Sequence, residues 1–291
     1  MKWNQQRDKP FNLPVYFANL IITGLLLTCM MCTQMSFAQQ QQTYYCFSYY
    51  KILPGKEHEL RKLIETVDAK VQQNRVNSRA ISSWYLYELF SPIGSSAEYD
   101  YVVITTTNRF KKSFESNYAF DSALKKTFPG KDAKFFADYY SRKNETWRLV
   151  KQEVYAGIAV ADSSFPGGSQ LKYIVVDFMQ PKPGMGAQYF KTETDTFRLI
   201  HKKRVKLDDI SQWAFLQLAF PYDTKTGYSY LALNFYKDLD RMFGNAKYEE
   251  GLKATFPNVA LSDLFQSAVA ARDNPRAELL RLVLYALPAK Q

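Results

Sequence analysis

Chemistry in this 291-residue chain has few side chains to work with, since it holds two histidines and three cysteines. His58 and His201 both fall on helix-patterned segments. His58 lies off the apolar stripe Leu60, Leu63, Ile64 and Val67 and is expected in solvent. His201 follows Phe197 by one turn and edges the core, where its basic neighbours disfavour protonation. A Ser-His-Asp or Cys-His device needs an imidazole at a strand end or loop, beside a nucleophile. Neither histidine is so placed, which argues against a hydrolase. Glu57-His58-Glu59 puts its members on different helix faces, so no metal set is read there. No phosphate-cradling glycine loop occurs, and Pro166-Gly-Gly168 reads as a connection. Cys46 sits in a strand-like run and reads as a buried, inert thiol.

What remains is a set of aromatic and polar side chains on alternating strands. Side chains two apart share a face of a strand. In the second half, Ile174/Val176/Phe178, Leu231/Leu233/Phe235 and Leu280/Leu282/Leu284 are uniformly apolar rows, expected to meet helices. The opposite rows are mixed and are expected to face another sheet. They supply the candidate ligand-binding residues Tyr173, Asp177, Trp213, Gln217, Tyr230, Asn234, Arg281 and Tyr285. The equivalent rows of the first half add Ser48, Trp84, Glu88 and Lys151. Asp177 with Arg281, and Glu88 with Lys151 and Glu153, are expected to pair, because a desolvated charge costs several kcal/mol unless partnered. The plainer reading of the same residues is structural: satisfied polar groups that fix strand register, with Trp84 and Trp213 as core.

The elements that must position these residues come from an internal repeat with a period near 129 residues. Ile81–Pro92 aligns with Ile210–Pro221, with five of twelve positions identical, the tryptophan among them. Leu124-Lys-Lys-Thr-Phe-Pro129 aligns with Leu252-Lys-Ala-Thr-Phe-Pro257, and Pro54-Gly55 with Pro183-Gly184. Each copy reads strand, helix, strand, strand, helix, strand. Helical spacing at Leu60, Leu63, Ile64, Val67 and Val71 marks the first helix. Ser91-Pro92 and Gly94-Ser-Ser96 supply a hairpin turn between the second and third strands. The fold class is α+β, with two tandem ferredoxin-like βαββαβ units, residues 43–157 and 171–287, joined by a 158–170 linker. Each four-stranded antiparallel sheet would carry helices on one face and leave the other bare. That face is too apolar for water, so the two sheets are expected to pack face to face.

With these residues on the page, the chain resembles the dimeric α/β-barrel superfamily, including its NIPSNAP-like and antibiotic-biosynthesis-monooxygenase-like members. The resemblance rests on Lys51-Ile-Leu-Pro-Gly-Lys56, the helix after it, the Trp84 strand, Gln180-Pro-Lys-Pro-Gly184 and Trp213. It implies ligands held between sheet and helices or inside a barrel, and it supports fold more than chemistry. Chlorite-dismutase-like relatives imply haem, and related haem-degrading enzymes use a histidine on the second helix. Here Phe110–Lys126 and Lys237–Ala254 contain none, so no cofactor is expected.

Composition narrows the class further. Twenty-one tyrosines, 21 phenylalanines and 4 tryptophans rule out a disordered chain. Residues 1–38 read as a signal peptide: Lys2, Arg7 and Lys9, an apolar Val15–Leu27 run, then Ser36-Phe37-Ala38 before a cut at Gln39. An uncleaved anchor, or a lipidation site at Cys29, are the alternatives. Cleavage would leave Cys46 alone, so no disulfide framework is expected. The localisation expected is periplasmic or extracellular, without stable membrane insertion after cleavage. The net charge of +10 is spread along the chain, densest at His201–Lys206, and reads as a solvated basic face. No nucleic-acid motif accompanies it. The function expected is binding of a small aromatic or apolar molecule between the sheets, with a homodimer as a possible state. The alternatives are a cofactor-independent monooxygenase-like enzyme using the same pocket, with Trp213 and Asn234 in it, and a ligand-free oligomerisation module.

Overall fold

The computed structural model describes residues 42–91, 97–114, 116–163, 166–221, 226–244 and 246–289. The expected signal peptide and the 92–96 hairpin turn lie outside them.

Both units form the expected strands. In the first they are β1 (Tyr44–Ile52), β2 (Ser83–Ser91), β3 (Tyr101–Thr107) and β4 (Trp147–Val160). In the second they are β5 (Tyr173–Pro181), β6 (Gln212–Phe220), β7 (Tyr230–Tyr236) and β8 (Arg272–Ala286). The last strand of each unit is longer than its hydrophobic pattern suggests, because each pairs with both units: the end of β4 runs on to β6, and β8 starts along β5 and ends along β2. The order is a closed barrel, β1-β3-β2-β8-β5-β7-β6-β4. The sheets therefore do not merely stack. They hydrogen-bond edge to edge through β2–β8 and β4–β6, which leaves no open sheet edge. Both units that close the barrel belong to one chain.

Gly55 and Gly184 hold positive φ, 73° and 77°, in the Pro-Gly turns that launch the first helix of each unit. Those helices run over Glu57–Leu63, Ile64–Asp68 and Ala69–Asn77, and over Gly186–Lys191, Thr192–Phe197 and Arg198–Lys206, with a π-helical middle in both. The stripe read from spacing is buried: Leu60, Leu63, Ile64, Val67 and Val71 all face the interior. His58 is exposed, as expected.

On β4 the Lys151, Glu153 and Tyr155 row faces the barrel interior as expected, but on the other strands the sheet faces are the reverse of the expectation. Ile174, Val176, Phe178, Leu231, Leu233, Phe235 and Leu280 join Tyr45, Phe47, Tyr85 and Tyr87 inside the barrel. The mixed rows lie under the helices: Trp213, Phe215 and Tyr173 pack with Tyr189 of the second unit's first helix. The physical reason is closure. A barrel interior is walled by sheet on every side and is the driest place in the molecule, so it takes the uniformly apolar rows. Helices cover a sheet only partly, and side chains near their margins still reach water. Leu284 departs from its row, because a register shift between Leu86 and Tyr87 turns that end of β8 toward the Trp84 cluster.

Candidate functional site

Closing the barrel creates an apolar cavity at one end, about 420 Å³ in volume. Its walls are interior strand residues, chiefly Tyr45, Tyr85, Tyr87, Ile104, Ile174 and Leu233. Pro166-Gly167 of the linker and Leu287-Pro288 after β8 form its rim. Polar groups are few and mostly engaged. Ser83 Oγ and Thr106 Oγ1 share a hydrogen bond of 2.6 Å, and the Tyr87 hydroxyl donates to the Leu171 carbonyl at 3.2 Å. Burial, with Tyr85 beside it, pushes the Tyr45 phenol up to about 12, so it stays protonated. Gly157 makes room for the Tyr45 ring: a Cβ there would sit 3.0 Å from it.

Further along the interior the barrel is filled by a polar layer. Glu153, 3 % exposed, accepts hydrogen bonds from Tyr49 at 2.9 Å, Tyr155 at 2.8 Å and Tyr228 at 2.6 Å, and pairs with Lys151 at 3.2 Å. Glu278, 2 % exposed, accepts from Tyr99 and pairs with Arg276. The arrangement is reciprocal. Glu153 of the first unit is held by Tyr228 of the second, and Glu278 of the second by Tyr99, the repeat counterpart of Tyr228. These satisfied clusters cross-link the units and fix register.

A second pocket, about 700 Å³, lies between sheet and helices of the first unit. Its floor includes Cys46, Ser48 and Gln152, and its walls include Tyr50, Trp84 and Trp147. Burial pushes the Cys46 thiol up to about 11, which keeps it protonated and unreactive.

The twelve candidate residues divide among these places. Ser48 and Trp84 line the first-unit pocket. Lys151 belongs to the interior polar layer and donates to the Tyr228 hydroxyl at 3.0 Å. The expected cluster of Glu88 with Lys151 and Glu153 splits: Glu88 pairs instead with Arg281 across the β2–β8 seam. Asp177 and Arg281 do not meet, because register sets Asp177 opposite Ala277. Asp177 instead accepts from Asn234 at 3.3 Å and Asn274 at 3.2 Å, and burial raises its carboxyl. Tyr173, Trp213 and Tyr230 are packed under the second unit's helices, and Gln217 is exposed. Tyr285 is half exposed and rests on Gly168, where a Cβ would lie 2.5 Å from its ring. None of the twelve lines the barrel-end cavity, because most of their rows turn toward the helices and Lys151, which faces the interior, lies in the polar layer. The residues that do line it sit one position along the same strands.

Among the described residues, aromatic side chains pack the second unit's sheet–helix space. Trp213, 1 % exposed, stacks on His201 at 4.9 Å and 13°, and Phe215 stacks on Tyr230 at 5.2 Å and 8°. Trp213 and Asn234 border neither of these two pockets. The residues there do not fit haem. Aromatic side chains fill the space, and His201 is held by Trp213 and by Arg204 at 3.1 Å. Burial and Arg204 hold the His201 imidazole well below its usual range, as the sequence led us to expect. His201 and Arg204 are buried, so the basic run they belong to is not a continuous solvated face. Among the described residues no group of His, Cys, Asp and Glu is arranged to hold a metal, and no helix is long and apolar enough to cross a membrane.

No protein-family model and no curated protein sequence matches the chain. Solved structures do. A candidate monooxygenase from Fusobacterium nucleatum is 10% identical, with 84% of this chain and 94% of that one covered, at a TM-score of 0.51. A variant chlorite dismutase from Candidatus Nitrospira defluvii is 11% identical, covering 83% and 91%, at 0.45. A haem-binding protein from Thermus thermophilus is 8% identical, covering 83% and 91%, at 0.43. At these identities the likeness concerns fold: two tandem ferredoxin-like units closed into one eight-stranded α/β barrel.

Proposed function

We propose that this protein binds a small, neutral, apolar or aromatic molecule between its sheets, in the barrel-end cavity. The observation that carries the reading is that cavity's make-up, apolar walls of tyrosine, isoleucine and leucine enclosing about 420 Å³. Ligand sites of this size are lined in the same way, with few polar groups. Among the described residues no carboxylate or imidazole lines the cavity, which favours binding over turnover.

Thermal shift with 1-naphthol tests this. A ligand at a hundred times its Kd stabilises by about 2.7 kcal/mol, a rise of several degrees. Gly167→Trp at the rim places a large side chain where nothing lies within 4 Å of the Cβ position, so it should narrow the cavity mouth without disturbing packing. It is expected to abolish the shift while leaving the unliganded melting temperature unchanged. A panel of neutral bicyclic aromatics that leaves the wild-type melting temperature unmoved would sink the reading.

Export through residues 1–38 belongs to the same proposal. Its support is the basic, apolar and small-residue order of that segment. The intact mass of protein expressed in a Gram-negative host should begin at Gln39, and a full-length mass in every fraction would refute it.

A further inference from the structure

We propose that the sheet–helix pocket of the first unit is an anion site, in which Arg75 receives the carboxylate of a planar aromatic ligand. Arg75 is 4 % exposed and lines that pocket. Its Nη1 donates to Gln72 at 2.9 Å, and its Nε has no hydrogen-bond partner. No carboxylate among the described residues pairs with it. Burial pulls its guanidinium down to about 10, with only the Cys46 thiol opposing. A buried cation without a counter-charge is expensive.

The second copy of the repeat shows what is missing. Arg204 stands 129 residues after Arg75 at the same place in its helix. Its Nε donates to Asp209 at 2.6 Å, and both are buried. One Arg204 nitrogen, Nη2, is also without a hydrogen bond, but its charge is balanced. The position matching Asp209 in the first unit is Ala80. The backbone that would carry the carboxylate is already in place. The Ala80 amide donates to the Arg75 carbonyl at 2.9 Å, as the Asp209 amide does to Arg204 at 3.0 Å. The residues just before them, Arg79 and Asp208, share the same left-handed conformation, with φ 57° and 55°. The aromatic lid differs too. Tyr248 covers the Arg204 guanidinium at 3.7 Å, whereas Phe120, its counterpart, stays 6.0 Å from that of Arg75. The first unit thus keeps the arginine and lacks the aspartate, and its Arg75 borders a pocket of about 700 Å³.

The walls define the rest of the ligand. Tyr50 and Trp147 stack at 4.1 Å and 16°, and Trp84 and Phe120 border the same space. Arg148 and Asp121 also border the pocket but are exposed, and Asp121 accepts from the Tyr140 hydroxyl, so flat aromatic faces beside one buried cation suit an aromatic body with one carboxylate. The nearby Lys143 is paired with Asp68 at 3.1 Å, so its charge is already spent. Guanidinium and carboxylate match in two parallel hydrogen bonds, which a lysine would not give.

1-Naphthoate and 1-naphthol, an anion and a neutral molecule of similar shape, separate this site from the barrel-end cavity. Calorimetry and quenching of tryptophan fluorescence are read on wild type, Arg75→Gln, Ala80→Asp and Gly167→Trp. Naphthoate is expected to bind wild type and Gly167→Trp alike, and to lose tenfold or more in affinity with Arg75→Gln. Ala80→Asp rebuilds the second unit's ion pair inside the first. It should weaken naphthoate at least tenfold, leave naphthol unaffected and raise the melting temperature. If Arg75→Gln fails to fold, Ala80→Asp alone carries the test. Naphthoate that does not bind wild type, or binds Ala80→Asp as well as wild type, overturns the proposal. A lowered melting temperature in Ala80→Asp also overturns it, because Arg75 would then not lack a carboxylate.

Discussion

Between sheet and helices the two units, copies of one βαββαβ plan, have been finished in opposite ways. In the second, Tyr189, Trp213, Phe215 and Tyr230 fill the space and Arg204 is closed off by Asp209 and Tyr248. In the first, leucines stand where two of those aromatics would be, Leu60 for Tyr189 and Leu86 for Phe215, and Ala80 stands for Asp209. The same fold yields a packed layer in one copy and a pocket in the other. Duplication frees one copy to carry stability while the other keeps space, and the difference lies in a few side chains rather than in backbone.

The largest expected effect comes from breaking the filled copy's charge balance. Asp209→Ala would leave Arg204, fully buried, without its carboxylate, at a cost of about 3–5 kcal/mol by chemical denaturation. A loss no greater than that of an exposed substitution would remove the contrast on which the comparison rests. Trp213→Ala is expected to cost about 3–5 kcal/mol, because its neighbours His201 and Phe215 are fixed on either side. Trp84→Ala, beside open space, should cost clearly less, and equal losses would mean that the first pocket is as tightly packed as its counterpart.

Smaller effects are expected where the units meet. Tyr228→Phe and Tyr99→Phe each remove one hydrogen bond to a buried glutamate, so each should lose about 1–3 kcal/mol, Tyr99→Phe the more, because Glu278 then keeps only Arg276 whereas Glu153 keeps Tyr49, Tyr155 and Lys151. A larger loss in Tyr228→Phe would show that the remaining partners of Glu153 do not compensate.

The subtlest effect is on pH dependence, and it should reside in the second unit. Burial pushes Glu193 up to about 7 against the pull of Arg272, and the matching position in the first unit is Ile64. A carboxyl that is harder to ionise when folded stabilises below its unfolded pKa, and this contribution fades as pH rises toward 7. Glu193→Gln should remove that falling component. His201, harder to protonate when folded, acts oppositely, costing stability as pH falls below about 6.5. His201→Gln should remove the low-pH loss, and unfolding curves between pH 4.5 and 7.5 separate the two. Curves that keep their slopes in both variants would place the titrating groups elsewhere.

Much of this was legible before any coordinates. The repeat set the element order, and the Leu60–Val71 stripe, the Pro-Gly turns and the buried His201 and Cys46 all follow from local pattern. The Arg75–Ala80 against Arg204–Asp209 difference was also present in the aligned copies, visible to anyone comparing where the repeat disagrees with itself. The candidate residues fared differently. Asp177 and Arg281 share neighbouring strands yet do not meet, since pairing register depends on where bulges fall.

By itself the sequence determined the duplication, the alternation of each strand and the identity of the side chains on its two faces, because these depend on neighbours in the chain. Only the tertiary structure decided which face turned inward. That choice followed from β2 meeting β8 and β4 meeting β6, contacts between residues far apart in sequence that close the barrel and make its interior the driest compartment. Alternation leaves the two faces equivalent until that closure distinguishes them, and with them the residues that line a cavity from the residues that lie beneath a helix.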